Sequence, residues 1–185
     1  VEGTKPAFLA LANSSDLIQK LYYYLRQLQR IEPMRCLPAL HYVDYSLFVK
    51  DFSAQERNLR ETEDFLRVLE GWSGKAVTDG DIRSAAGSCN ALREALRRVC
   101  ALRRQGRILG SEALRIFSGA MLTEKAEATA LVNELADAAA DWPVFDGVPA
   151  LYTGSAQETP ELYEIAEECG LNIVADDKVP GDRYC

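Results

Sequence analysis

The stretch LNIVADDKVPGDRY, Leu171 to Tyr184, sets the fold class of this chain. Its apolar run Leu171–Ala175 fits a buried strand, which delivers Asp176 and Asp177 into a loop containing Pro180 and Gly181. Upstream, in DWPVFDGVPALYTGS (141–155), Pro143, Gly147 and Pro149 punctuate a turn before a strand over Ala150–Thr153. Gly154 and Ser155 make a tight exit, and a helix over Glu158–Glu168 is stopped by Gly170. Strand, helix and strand in that order read as a βαβ unit. Ligands of open α/β sheets sit beyond the carboxyl ends of the strands, so TGSAQ (153–157) and DDKVPGDRY (176–184) belong on one rim.

The start of the chain has the same logic. Ala7–Ala12 is an apolar run suited to a buried strand, and Asn13, Ser14, Ser15 and Asp16 then offer capping side chains. A helix from about Leu17 to Gln29 carries Ile18, Leu21, Leu25 and Leu28 at helical spacing, with Pro33 just past its end. Met34–Val43 reads as a second extended segment, interrupted by Pro38 and therefore an edge or irregular strand.

Between these parts the strand signal disappears. Leu59, Phe65, Leu66 and Leu69 define a helix broken by GWSGK (71–75). Thr78 caps the next, in which Ile82, Ala85, Ala86, Cys89, Leu92, Leu96 and Val99 recur as one apolar stripe. Two more helices fit Ser111–Leu122 and Glu124–Ala140. The fold class is thus α/β, with a helical segment joining two parallel-sheet parts.

Composition excludes several classes of function. Asp and Glu outnumber Lys and Arg by 28 to 21 over 185 residues, a net charge of -7, which opposes general nucleic-acid binding and an electrostatic membrane anchor. No apolar run reaches bilayer length, and the first residues lack the pattern of a secretory signal, so a soluble cytoplasmic setting is expected. The five cysteines (Cys36, Cys89, Cys100, Cys169, Cys185) form no CxxC pair, which indicates neither a disulfide framework nor a zinc site. Val1 is not an initiator Met and Cys185 ends inside a motif, so a segment of a longer protein is expected.

The candidate residues each have a plain reading. Ser15 and Asp16 are ordinary helix-capping residues. Gly154 and Ser155 form a strand-to-helix turn, or present backbone amides at a helix N-terminus to an anionic or carbonyl group. Asp176, Asp177 and Arg183 form a structural ion pair and turn, or line a cleft in which the Arg183 fork meets a phosphate or carboxylate. Arg93, Arg97, Arg98, Arg103, Arg104 and Arg107 read as a solvated helix face flanking the apolar stripe. His41, the single histidine, cannot build a His-rich metal site and is expected to be a packed or surface side chain. Tyr22, Tyr23 and Tyr24 point in different directions on a helix, so one or two of them anchor it. Cys169, at a helix C-terminus, is not placed to be a reactive thiolate.

Four stretches in their order, LEGWSGKAVTDGDIR (69–83), DIRSAAGSCNALREALRRVCALR (81–103), ALYTGS (150–155) and EECGLNIVADDKVPGDRY (167–184), resemble the large subunits of the 2-hydroxyacyl-CoA dehydratase and benzoyl-CoA reductase family. The resemblance spans nearly the whole chain. It implies two Rossmann-like parallel-sheet domains, both incomplete here: residues 1–50 would end the first, 51–145 connect them, and 146–185 begin the second. It implies radical chemistry on acyl-CoA thioesters by (R)-2-hydroxyacyl-CoA dehydratases or benzoyl-CoA reductases. A paired homologous subunit, a [4Fe–4S] cluster and an ATP-dependent activator protein that supplies one low-potential electron belong to that chemistry. Gly154, Ser155, Asp176, Asp177 and Arg183 would then border the substrate, and Ser15 and Asp16 the cofactor. The family commonly carries a cluster Cys followed by Asp where the first strand meets its helix; the matching positions in ANSSDLIQK (12–20) are Ser15 and Asp16. A hydroxyl is a poor substitute for a soft thiolate, so no metal ligand is assigned, and a pairing subunit that has lost the cluster is the alternative.

Overall fold

Two βαβ units and a helical layer build the protein, a computed structural model describing residues 6–32, 37–46, 50, 52–155, 157, 159–178 and 181–185. The chain divides into two compact units, Val1–Thr78 and Asp79–Cys185. The helical residues are shared between them.

In the first unit, β1 (Phe8–Ala12) leads through α1 (Asp16–Ile31) to β2 (Ala39–Val43), and the two strands pair in parallel with Phe8 opposite Ala39 and Ala12 opposite Val43. Ser15 caps α1, and Asp16 places a negative charge at its positive end. The second strand begins only after Pro38; Met34–Cys36 and Pro33 lie outside the described residues. α2 (Phe52–Ser73) absorbs the first three residues of GWSGK and stops at Gly74, whose φ of 68° suits glycine. Adjacent residues on a strand face opposite ways. Tyr42 stacks on Tyr22 of α1 at 4.8 Å, whereas His41 stacks on Phe65 of α2 at 5.3 Å and meets Trp72 edge-on. Phe8 also stacks on Trp72 at 4.8 Å. The two helices therefore cover opposite faces of this sheet, and Tyr22 is the anchor while Tyr23 and Tyr24 stay exposed.

The second unit holds most of the buried core. α3 (Asp79–Arg104), α4 (Gly110–Leu122) and α5 (Lys125–Ala139) bury Leu92, Leu96, Val99, Ile108, Phe117 and Val132 together. The stripe drawn from helical spacing is the buried side of α3 only from Leu92 onward; Ile82 is exposed. Then β3 (Val148–Thr153) runs through α6 (Glu161–Glu168) to β4 (Leu171–Asp177), again a parallel pair. Leu114, Tyr163 and Ile173 form a second cluster beneath it.

Asp176 and Asp177 belong to β4 rather than to a loop beyond it. The pairing explains this. Ile173 lies opposite Ala150 but Ala175 lies opposite Leu151, so Val174 is an extra residue, and the ladder continues to Tyr152 opposite Asp176 and Thr153 opposite Asp177. A short 3₁₀ turn, Asp182–Tyr184, follows; Pro180 lies outside the described residues. Among the described residues no helix is long and apolar enough to cross a membrane.

Candidate functional site

Each unit has its own rim at the carboxyl ends of its strands. In the first, Asn13 follows β1 and donates from Nδ2 to Asp44 Oδ1 at 2.6 Å, just beyond β2. Arg57 of α2 also donates to Asp44, and the Asp44 amide donates to Glu61 Oε1 at 3.0 Å. Ser46 and Asn58 exchange two further bonds of 2.7 and 3.0 Å. These contacts fasten the rim to α2.

Ser15 and Asp16 stand exposed on this rim. The Ser15 Oγ accepts from the Ile18 amide at 3.4 Å and so satisfies a free donor of the first helical turn. Iron–sulfur clusters are held by thiolates. Here the position offers a hydroxyl occupied as a helix cap and an exposed carboxylate, while Cys36, the cysteine of this unit, lies outside the described residues. Among the described residues no group of three or more His, Cys, Asp and Glu side chains could hold a metal ion. This donor set does not fit a cluster. His41, packed between Phe65 and Trp72, has a buried Nε2 with no partner among the described residues.

The second rim is built on Asp176. Its Oδ2 accepts from Arg103 Nη2 at 3.0 Å and from the Tyr163 hydroxyl at 2.9 Å, and its Oδ1 accepts from the Asp182 amide at 3.2 Å. Arg103 Nε donates to the Ile173 carbonyl at 2.6 Å, and its Nη1 lies 3.7 Å from Asp182 Oδ1. Burial and the neighbouring carboxylate push the Tyr163 phenol up, so it stays a donor to Asp176. Gly181 suits this close approach: a Cβ on it would collide with Asp176 Oδ1.

Asp177 behaves differently although it is adjacent. It points outward and takes both bonds of the Arg183 fork, at 2.5 and 3.1 Å, an exposed pair that raises Arg183 further above its ordinary value. Both arginine–aspartate contacts are internal. Gly154 and Ser155 leave β3 in a bend, and α6 begins only at Glu161, so their amides are not those of its first turn; Glu158 lies outside the described residues. The Tyr152 hydroxyl donates to the Ser155 carbonyl at 2.9 Å and accepts from Gln157 Nε2 at 2.7 Å.

The reading of six solvated arginines fails for Arg103, which is fully buried. The signal was present: Leu92, Leu96 and Val99 advance by four and three positions, and the next step of four is Arg103. The others tether the fold. Arg97 donates to the Cys185 carbonyl at 2.6 Å, Arg98 to Asn133 at 2.7 Å and Arg107 to the Trp142 carbonyl at 2.6 Å, while Arg104 lies 3.6 Å from Asp182 and Arg93 stacks over Tyr184.

Lys178 and Tyr163 also escaped the sequence reading. Alternation along β4 was the available signal, because Asp176 and Lys178 are buried on either side of exposed Asp177. The Lys178 Nζ lies 4.9 Å from the centre of the Tyr163 ring and 5.8 Å from that of Tyr152. Contacts of that kind contribute about 0.5–2 kcal/mol. Desolvating an ammonium costs roughly several kcal/mol, so the rings do not offset it. Burial accordingly lowers the Lys178 amine below the ordinary lysine range, with Asp176 opposing and Arg103 adding to the shift.

Cys100 donates to Asp182 Oδ1 at 3.1 Å, and its Sγ lies 3.9 Å from Cys185 Sγ. That contact and burial push the Cys100 thiol up and away from thiolate chemistry. No protein of established function matches the chain as a relative. Residues 2–185 match the family model described as 2-hydroxyglutaryl-CoA dehydratase, D-component, and the chain belongs to that family.

Proposed function

We propose that this chain is the pairing component of a 2-hydroxyacyl-CoA dehydratase-type complex, contributing fold and interface while a homologous partner subunit carries the [4Fe–4S] cluster. The observation that carries this reading is Ser15, a capping hydroxyl at the position where the family resemblance calls for a thiolate. In this reading the two parallel pairs are the described parts of two Rossmann-like domains. The rim of the second pair, with Gly154, Ser155, Asp176, Asp177 and Arg183, borders an acyl-CoA thioester in the complex, Asp176 as a scaffold and the others nearer the ligand. An ATP-dependent activator serves the partner's cluster, and the assembly works in the cytoplasm.

The test is iron and acid-labile sulfide per chain on anaerobically purified full-length protein, alone and in complex with its partner. A folded, colourless, iron-free chain whose complex owes all its iron to the partner is the expected result. Stoichiometric iron and sulfide on the resolved chain, with a cluster signal after reduction, would overturn it and return the catalytic, cluster-bearing reading. The Ser15→Cys variant separates the cases further: a chain that stays iron-free fits the pairing reading, whereas a rise in iron content would count against it.

A further inference from the structure

Lys178 ends β4 with only 3% of its surface exposed, and its Nζ meets no hydrogen-bond acceptor among the described residues. An ammonium carries three N–H donors, and the aromatic faces of Tyr163 and Tyr152 attract its charge without accepting those hydrogens in the usual geometry. The neighbouring acid is engaged by other donors: Asp176 Oδ2 accepts from Arg103 and Tyr163 and Oδ1 from the Asp182 amide, with no bond from Lys178. An apolar side chain at this position would fill the space with no desolvation cost, so a lysine here calls for an acceptor that arrives from outside. The position is the carboxyl end of the β3–β4 pair, where ligands of α/β sheets bind.

We infer that Lys178 Nζ, facing the Tyr163 and Tyr152 rings, is the donor of a binding site for the single carboxylate of a small organic acid at the carboxyl ends of β3 and β4. Tyr152 links the amine to the turn after β3, because its ring lies against Lys178 and its hydroxyl holds the Ser155 carbonyl. Charge selects the ligand class. Asp176, Asp177 and Asp182 are each already paired with an arginine, so Lys178 offers one uncompensated positive charge, which matches a singly charged carboxylate better than a phosphate dianion. The site stands on the second unit alone, and it holds or fails independently of Ser15.

The experiment uses natural full-length protein with isotope-labelled lysine, the Lys178 side-chain resonance being assigned by its loss in Lys178→Met. Sodium acetate and inorganic phosphate are titrated separately at constant ionic strength. A saturable shift of the Lys178 resonance with acetate, not shared by the other lysines and weaker with phosphate, is expected. Lys178→Met should also unfold at a higher temperature than the parent, since it removes an unpaired buried charge kept for binding. Absence of a saturable acetate shift, preference for phosphate, or a Lys178→Met protein that is less stable or unfolded would each overturn the proposal. The last result would mark the lysine as a packing element held by its two rings.

Discussion

Arg103 Nη2 lies 3.0 Å from Asp176 Oδ2, and both side chains are sealed from solvent, at 1% and 3% exposure. Removing one member leaves the other charged and dry. Asp176→Ala should therefore destabilise the protein by about 3–5 kcal/mol in a urea titration. Asp177→Ala, which opens only the exposed pair with Arg183, should leave the midpoint nearly unchanged. Two neighbouring aspartates with equal effects would contradict the buried position of Asp176.

Gly181→Ala tests the close approach of the final turn to β4. The new methyl would collide with Asp176 Oδ1 and meet the Lys178 carbonyl at 3.0 Å. A loss of about 1–3 kcal/mol is expected from displacing them. Gly119→Ala, with nothing within 4 Å of the added Cβ, is the matched control and should not destabilise.

The pH dependence of stability has a defined sign at Lys178. Its folded amine titrates below the ordinary lysine range while the unfolded amine does not, so between those two values the unfolded chain binds more protons. Stability should rise with pH across that window in the parent relative to Lys178→Met. Tyr163 sets the upper end: its phenol is raised in the folded state, so above about pH 10, where an unfolded tyrosine ionises, it contributes the opposite slope. Asp176, Arg103 and Tyr152 face the same amine and are held constant in the comparison. Parallel curves for parent and variant would contradict the shift.

Ser15→Ala removes the side-chain cap of α1. With the Oγ 3.4 Å from the Ile18 amide, a loss of about 0.5–1 kcal/mol is expected by thermal or urea unfolding. A larger loss would mean that Ser15 holds more than the helix terminus.

Both βαβ units were legible in the sequence because an apolar run, an amphipathic helix and a second apolar run follow in the same order, with Ser15 capping α1, Pro33 just past its end and Gly170 stopping α6. The cap at Ser15 was equally plain. What periodicity could not show was which polar residue occupies an inward position. Arg103 continues the stripe of α3 but carries a charge, so its residue type argued for solvent until its partner 73 positions away was in view. Lys178 was hidden for the same reason, since hydropathy assigns a lysine to the surface whatever its place in the alternation. The turn at Gly154 misled by length, as the chain travels through Thr159 and Pro160 before α6 begins.

The extra residue Val174 makes the identity of the inward acid a matter of parity. Ile173 and Asp176 both reach Tyr163 although an odd number of steps separates them, which an unbroken two-residue alternation forbids. Taking Val174 into the ladder, instead of leaving it as the extra residue, would exchange the roles of the twin aspartates, turning Asp177 toward Arg103 and Asp176 toward solvent, whereas deleting Val174 would keep Asp176 inward. The irregular pairing at Ala150 and Leu151 is thus the counting device that tells two chemically identical neighbours apart.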